Sequence, residues 1–241
     1  MRAFTSSHQE RPLAWASGLG LLALLAALVG IVALGQAGPA DAAKAKQLGK
    51  TKKTPKPDCP GNPCFAVGSV TGFQSKVPGK AEPFKLRKGG RVVAWSVSLS
   101  KPDKEERKFF EESFGTEALG NGPSARLAVL KEKKNDNYKL VRQSPVTDLK
   151  PFYGRSPLVT LDRPLKVKKG HVLGITYSTW APGLASREGG SRWVASRKKG
   201  RCGGNEALKA RPQQKVGSTR EYGCRFADRL LYWAYLVPGR N

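Results

Sequence analysis

From residue 58 onward the chain alternates short apolar runs with Gly, Pro or charged breaks, a pattern of strands and turns rather than of helices. The runs are rich in Val, Leu, Tyr and Trp. They predict strands over 66–73, 84–86, 92–99, 125–131, 138–143, 158–161, 165–167, 172–179, 192–196 and 230–237. Alternation is plain in Arg126-Leu127-Ala128-Val129-Leu130. The stretch 231–236 is apolar on both faces and is therefore placed centrally in a sheet. That many strands in one domain-sized segment predict an all-β sandwich or barrel.

An internal echo refines this to a jelly-roll-like sandwich. FKLRKGGRVVAWSV (84–97) and LKVKKGHVLGITY (165–177) each read as strand, basic glycine turn, strand, and two equivalent corners are what a double-sheet jelly roll places in its halves. One segment departs from the β pattern. In PDKEERKFFEESFG (102–115), Asp103 and Glu106 have the spacing of a capping box and Gly115 can end the helix. Phe110 and Phe114 share a face, with Arg107–Glu111 and Lys108–Glu112 as candidate pairs on the others. The insertion is expected to be a short helix plugging one open end of the sandwich.

The N-terminus differs. Residues 19–34 carry no charged or polar side chain, follow Arg2 and Arg11, and precede small residues with an A-x-A match at Ala40-Asp41-Ala42. Residues 1–42 therefore read as a secretory signal peptide. The alternative is a retained anchor through residues 15–34, which reach the length of a membrane-crossing helix. Residues 43–57 combine lysine, small residues and proline with one leucine, the composition of a disordered basic linker. Residues 58–241 are long enough for one domain with its own core.

Cysteine usage favours export. Cys59 and Cys64 form one local pair and Cys202 and Cys224 another, so two disulfides in those pairings are expected from proximity. Their spacings do not match paired zinc knuckles, and no metal or other cofactor is expected.

Charge then narrows the partners. With 43 Lys plus Arg against 18 Asp plus Glu, the net charge is +25, which attracts any polyanion. The expected partner is an anionic cell-surface polymer or polysaccharide, with a membrane surface as a further option. Nucleic acid is not expected as a specific partner, because no recognition motif accompanies the charge. By sequence, only 44–56 and 197–201 form dense basic blocks.

The opening CPGNPC with Thr71-Gly72-Phe73-Gln74, the 84–97 corner, YKLVRQSPV (138–146) and LDRPLKVKKGHVLGITYSTWAP (161–182) resemble a group of uncharacterised secreted bacterial β-sandwich proteins. The resemblance covers most of 58–237. It implies export and a jelly-roll-like fold, and it brings no activity or site residues.

Catalytic material is thin. His171 is the single histidine after the signal and has no nucleophile elbow to serve, so it reads as a turn residue. A pair of carboxylates could serve a glycosidase, but Glu105, Glu106, Glu111, Glu112 and Glu117 cluster in and just after the helix, and Asp148, Asp162 and Asp228 stand alone near turns. The expectation is a non-enzymatic binding protein, with a carbohydrate-active enzyme as the alternative. Trp180 and Trp193, with Arg187, Arg192 and Arg197 nearby, are the candidate ligand-binding residues, since aromatic faces stack on sugars and arginine binds acid groups. The competing reading makes both tryptophans core residues. The excursion from 203 to 223 is the expected place for a binding surface.

Overall fold

Backbone pairing divides the chain into fifteen strands and one α-helix in a computed structural model that describes residues 45–61, 63–186, 188–203 and 214–239. In chain order they are β1 (Lys46–Leu48), β2 (Val67–Val77), β3 (Lys80–Ala81), β4 (Gly90–Val97), α1 (Lys104–Phe114), β5 (Ser124–Glu132), β6 (Asn137–Gln143) and β7 (Thr147–Asp148). There follow β8 (Leu158–Val167), β9 (His171–Ala181), β10 (Leu184–Ala185), β11 (Arg192–Ala195), β12 (Thr219–Glu221), β13 (Cys224–Phe226), β14 (Arg229–Leu230) and β15 (Tyr232–Pro238). The protein is mostly β, as its alternating runs predict.

The strands form a four-stranded sheet, β1-β15-β4-β8, a larger sheet whose path is β12-β6-β5-β9-β2-β11-β13, and the small pair β10-β14. The larger sheet curls. Its two ends, β12 and β13, are separated in sequence only by Tyr222 and Gly223, so one chain segment borders both edges. Tyr222 N–H donates to the Asp136 carbonyl and Gly223 N–H to that of Arg197, which ties this segment to both flanks.

Both sheets contribute to one apolar core, in which Val92 and Trp95 of β4 and Tyr232 of β15 join Leu127, Leu173 and Ile175 of the larger sheet. Every residue of β9 is buried, as a central strand requires. The Tyr232 hydroxyl donates to the Leu173 carbonyl at 2.9 Å, and its ring stacks on Phe84 at 4.2 Å. Burying a phenol is tolerable because its polar end finds this acceptor.

The helix forms as expected. Asp103 accepts from Glu106 N–H at 2.8 Å while the Glu106 carboxylate accepts from Asp103 N–H at 2.7 Å, completing the capping box. Phe110 is buried against Trp180 of β9, with ring centroids 5.1 Å apart. Lys108 reaches Glu112 at 3.9 Å. Arg107 instead donates to the Pro102 carbonyl at 2.8 Å and lies 5.9 Å from the Tyr153 ring centre.

Several boundaries differ from expectation. Residues 84–86 give only an isolated bridge, Lys85 to Val172. The runs 158–161 and 165–167 are one strand, β8, whose partner β4 shifts register between Val92 and Ala94. The segment 43–57, read as a disordered linker, contains β1, which pairs with β15 through Lys46–Leu236, Gln47–Tyr235 and Leu48–Ala234. The open edge of β15 satisfies β1's backbone groups and Leu48 is buried, a gain that composition alone does not register. Both expected disulfides are present, Cys59–Cys64 and Cys202–Cys224. Among the described residues no helix is long and apolar enough to cross a membrane; the apolar stretch 15–34 and the signal region lie outside them.

Candidate polyanion-binding surface

The two echoing segments lie against each other. Gly170 N–H donates to the Leu86 carbonyl, Leu86 N–H to that of His171, and Leu173 N–H to that of Phe84. On the other arm, Gly90 pairs with Val167 and Arg91 with Lys166. Each segment thus crosses from one sheet to the other at the same place. Glycine is needed at position 90, where a Cβ would run into the Val237 carbonyl, and at position 170, whose φ is +82°.

This interlock gathers the turn cations. Arg87, Lys88 and Arg91 from the first corner meet Lys166, Lys168 and Lys169 from the second, and all six are exposed. Among the described residues, the contact of Arg87 with Glu82 at 3.6 Å is the one ion pair any of the six makes. An open groove of about 560 Å³ between the arms is lined by Gly90, Arg91, Lys166, Val167 and Val237 to Gly239, within the size range of ligand sites.

His171 reports the same field. Its Nδ1 accepts from Lys168 N–H at 3.3 Å, consistent with a turn residue. Burial, then the positive charges of Arg142, Lys131 and Lys168, hold its pKa below the ordinary value. Arg142 and Lys131 are exposed and extend the cationic surface beyond the two turns.

The two tryptophans of the sequence-predicted site are packing residues. Trp180 is wholly buried, and its Nε1 donates to the Asn121 carbonyl at 2.7 Å. Trp193 is 5% exposed, stacked on Phe226 at 4.6 Å and packed over Gly72. Neither offers a face to a sugar, because each sits on an inward position of its strand. Arg192 is exposed on β11, Arg197 donates to the Gly68 carbonyl at 3.1 Å, and Arg187 lies outside the described residues. Of the excursion 203–223, residues 204–213 also lie outside them. In the remainder Gln214 is buried, donating to the Tyr138 and Ser218 carbonyls and accepting from the Tyr222 hydroxyl.

Other chemistry is engaged in structure. A cleft of about 80 Å³ is lined by Phe73, Tyr138 and Tyr222 under a rim of charged groups, too small for a sugar ring. In that rim Lys85 bridges Glu82 at 2.8 Å and Glu132 at 3.1 Å, and Arg225 meets Asp136 at 2.8 Å. Burial, with Glu132 and Asp136 adding to it, pushes the Tyr138 phenol up to about 12. Cys59, Cys64 and Glu106 cluster, but the disulfide removes the thiolates a metal would require. Asp148 accepts from Lys150 N–H at 2.9 Å, a turn role.

The corner cations were missed because they are scattered along the chain. The internal echo was a partial signal: Arg87-Lys88-Gly89 and Lys168-Lys169-Gly170 hold equivalent turn positions in the two segments. Comparison with protein-family models, with curated proteins and with solved structures finds no match for this chain.

Proposed function

We propose that the chain is an exported, non-enzymatic β-sandwich protein of jelly-roll type that binds anionic polymers or glycans of the bacterial cell envelope. The carrying observation is the interlocked corner, where Arg87, Lys88, Arg91, Lys166, Lys168 and Lys169 are exposed together with a single carboxylate contact. Concentrated charge of one sign in a groove attracts and retains a chain of opposite sign. Two disulfides and the apolar N-terminal run support an oxidising compartment. Structural employment of Glu106, Glu82, Glu132 and Asp148 supports binding over catalysis. The resemblance to secreted bacterial β-sandwich proteins belongs to the same reading.

The test is a binding panel of polyphosphate, polygalacturonate and neutral dextran against the oxidised chain. Saturable, salt-sensitive binding of the anionic polymers without binding of dextran supports the reading. Equal retention on dextran, or turnover of a glycan, would overturn it.

A further inference from the structure

A second cationic groove lies at the other end of β15. The ladder gives the direction: Gly90 of the corner pairs with Pro238, whereas Leu48 pairs with Ala234 and the chain then continues to Lys50. At about 3.3 Å per residue, the strand separates the two places by roughly 20 Å. The second groove, about 860 Å³ and open, is lined by Lys50, Lys52, Lys53, Lys80, Glu188 and Arg229.

Arg229 sets this groove apart from a merely solvated basic surface. It is 3% exposed, yet among the described residues its one hydrogen bond runs from Nη2 to the Gly49 carbonyl at 3.0 Å, and its buried Nε has no partner. A guanidinium carries five N–H donors and loses much by being buried without acceptors. The Glu188 carboxylate, which also lines the groove, acts on Arg229 through its charge but makes no ion pair with it. Desolvation lowers the Arg229 pKa and outweighs the opposing effects of Glu188 and Tyr232. Four lysines stand around it, of which Lys50, Lys52, Lys53 and Lys80 are all exposed.

We propose that this groove is a phosphate-group site, with Arg229 at its floor as the selecting residue and Lys50, Lys52, Lys53 and Lys80 supplying the attraction. The cations come from three separate segments: Lys50, Lys52 and Lys53 after β1, Lys80 of β3 and Arg229 of β14. A tetrahedral phosphate presents oxygens to match them, whereas a carboxylate presents two in one plane. One wall is the segment following β1, so occupancy would also fix the N-terminal segment on β15. The inference deepens the reading as a polyanion binder, on which it rests, by naming the acidic group; it uses none of the corner's residues. A phosphate-bearing polymer long enough to span both grooves would gain by simultaneous engagement.

The experiment is calorimetric titration of the oxidised full chain with inorganic phosphate, then with short polyphosphate and polygalacturonate. Three variants are compared: Lys52→Ser/Lys53→Ser/Lys80→Ser, whose positions are exposed, Arg229→Lys, and a corner variant, Lys88→Ser/Arg91→Ser/Lys168→Ser. The expected result is saturable phosphate binding, weakened about tenfold by the triple lysine variant and unchanged in the corner variant. Arg229→Lys is expected to abolish the preference for polyphosphate over polygalacturonate while keeping the charge. No saturable phosphate binding by the wild type, or equal affinity in the triple lysine variant, would overturn the phosphate site. Loss of polymer binding in the corner variant with phosphate affinity retained would support both sites; loss of phosphate affinity there would overturn the separation.

Discussion

Arg91 of β4 and Lys166 of β8 occupy directly opposed positions across an antiparallel ladder. Like charges so placed repel, and the pair is tolerated at a cost in stability because both side chains are exposed. Lys166→Glu converts repulsion to attraction. Its expected effect is a gain of up to about 1 kcal/mol in urea unfolding together with weaker anionic-polymer binding. A variant that loses stability and binds polymer as well as the wild type would show that this pair is not part of a binding surface.

Trp180 is a packing residue. Removing its ring beneath Phe110 by Trp180→Ala is expected to cost about 3–5 kcal/mol. Trp180→Phe keeps most of the volume but leaves the Asn121 carbonyl without its donor, for a loss of about 1–3 kcal/mol. Polymer affinity of Trp180→Phe, measured where it remains folded, is expected to equal that of the wild type.

Much of the fold was legible because its cues are local. The capping box of Asp103 and Glu106 announces α1 from residue types and spacing alone, and Cys59 with Cys64 lie too close in sequence to miss. β1 was not legible, since Leu48 gains its place from the open edge of β15, nearly the whole domain away in sequence. The site was half legible. Segments 84–97 and 165–177 could be recognised as equivalent corners, but their contact, through Leu86 and Gly170, is a tertiary fact. Trp180 and Trp193 read as binders because arginines stand near them in sequence, whereas β9 and β11 carry them inward.

His171 gives the corner a pH dependence. Burial and the charges of Arg142, Lys131 and Lys168 hold its folded pKa below the ordinary 6.5. The unfolded chain therefore takes up a proton at a pH where the folded chain does not. The histidine's contribution to stability is complete above pH 6.5 and is lost as pH falls from there through the lowered folded value. Urea unfolding as a function of pH is expected to show this loss in the wild type and not in His171→Asn, which can still accept from Lys168 N–H. A bound polyanion offsets the repulsion, so polymer binding near pH 6 is expected to take up protons, visible in calorimetry with buffers of different ionisation enthalpy. Identical pH profiles for the two proteins would remove His171 from the account.

The disulfides close loops of different length. Cys202–Cys224, with a sequence separation of 22, restrains the unfolded chain more than Cys59–Cys64, with a separation of 5. Replacing the first pair with serine is expected to cost about 3 kcal/mol and the second about 2 kcal/mol in urea unfolding. The reverse order would show that native contacts around Cys59, not chain restraint, dominate.

On the proposed reading the arrangement of the cations, not their total, governs binding, and two variants of equal net charge separate the two. One replaces Lys88, Arg91, Lys166, Lys168 and Lys169 with serine. The other replaces the exposed Lys101, Lys104, Lys108, Lys150 and Lys215, which belong to neither corner segment. Binding of polyphosphate and polygalacturonate is measured across a range of salt. The corner variant is expected to lose about tenfold or more in affinity with a shallower salt dependence, while the control keeps both within about threefold. Equal losses in the two variants would contradict the account and leave net charge alone as the cause of binding.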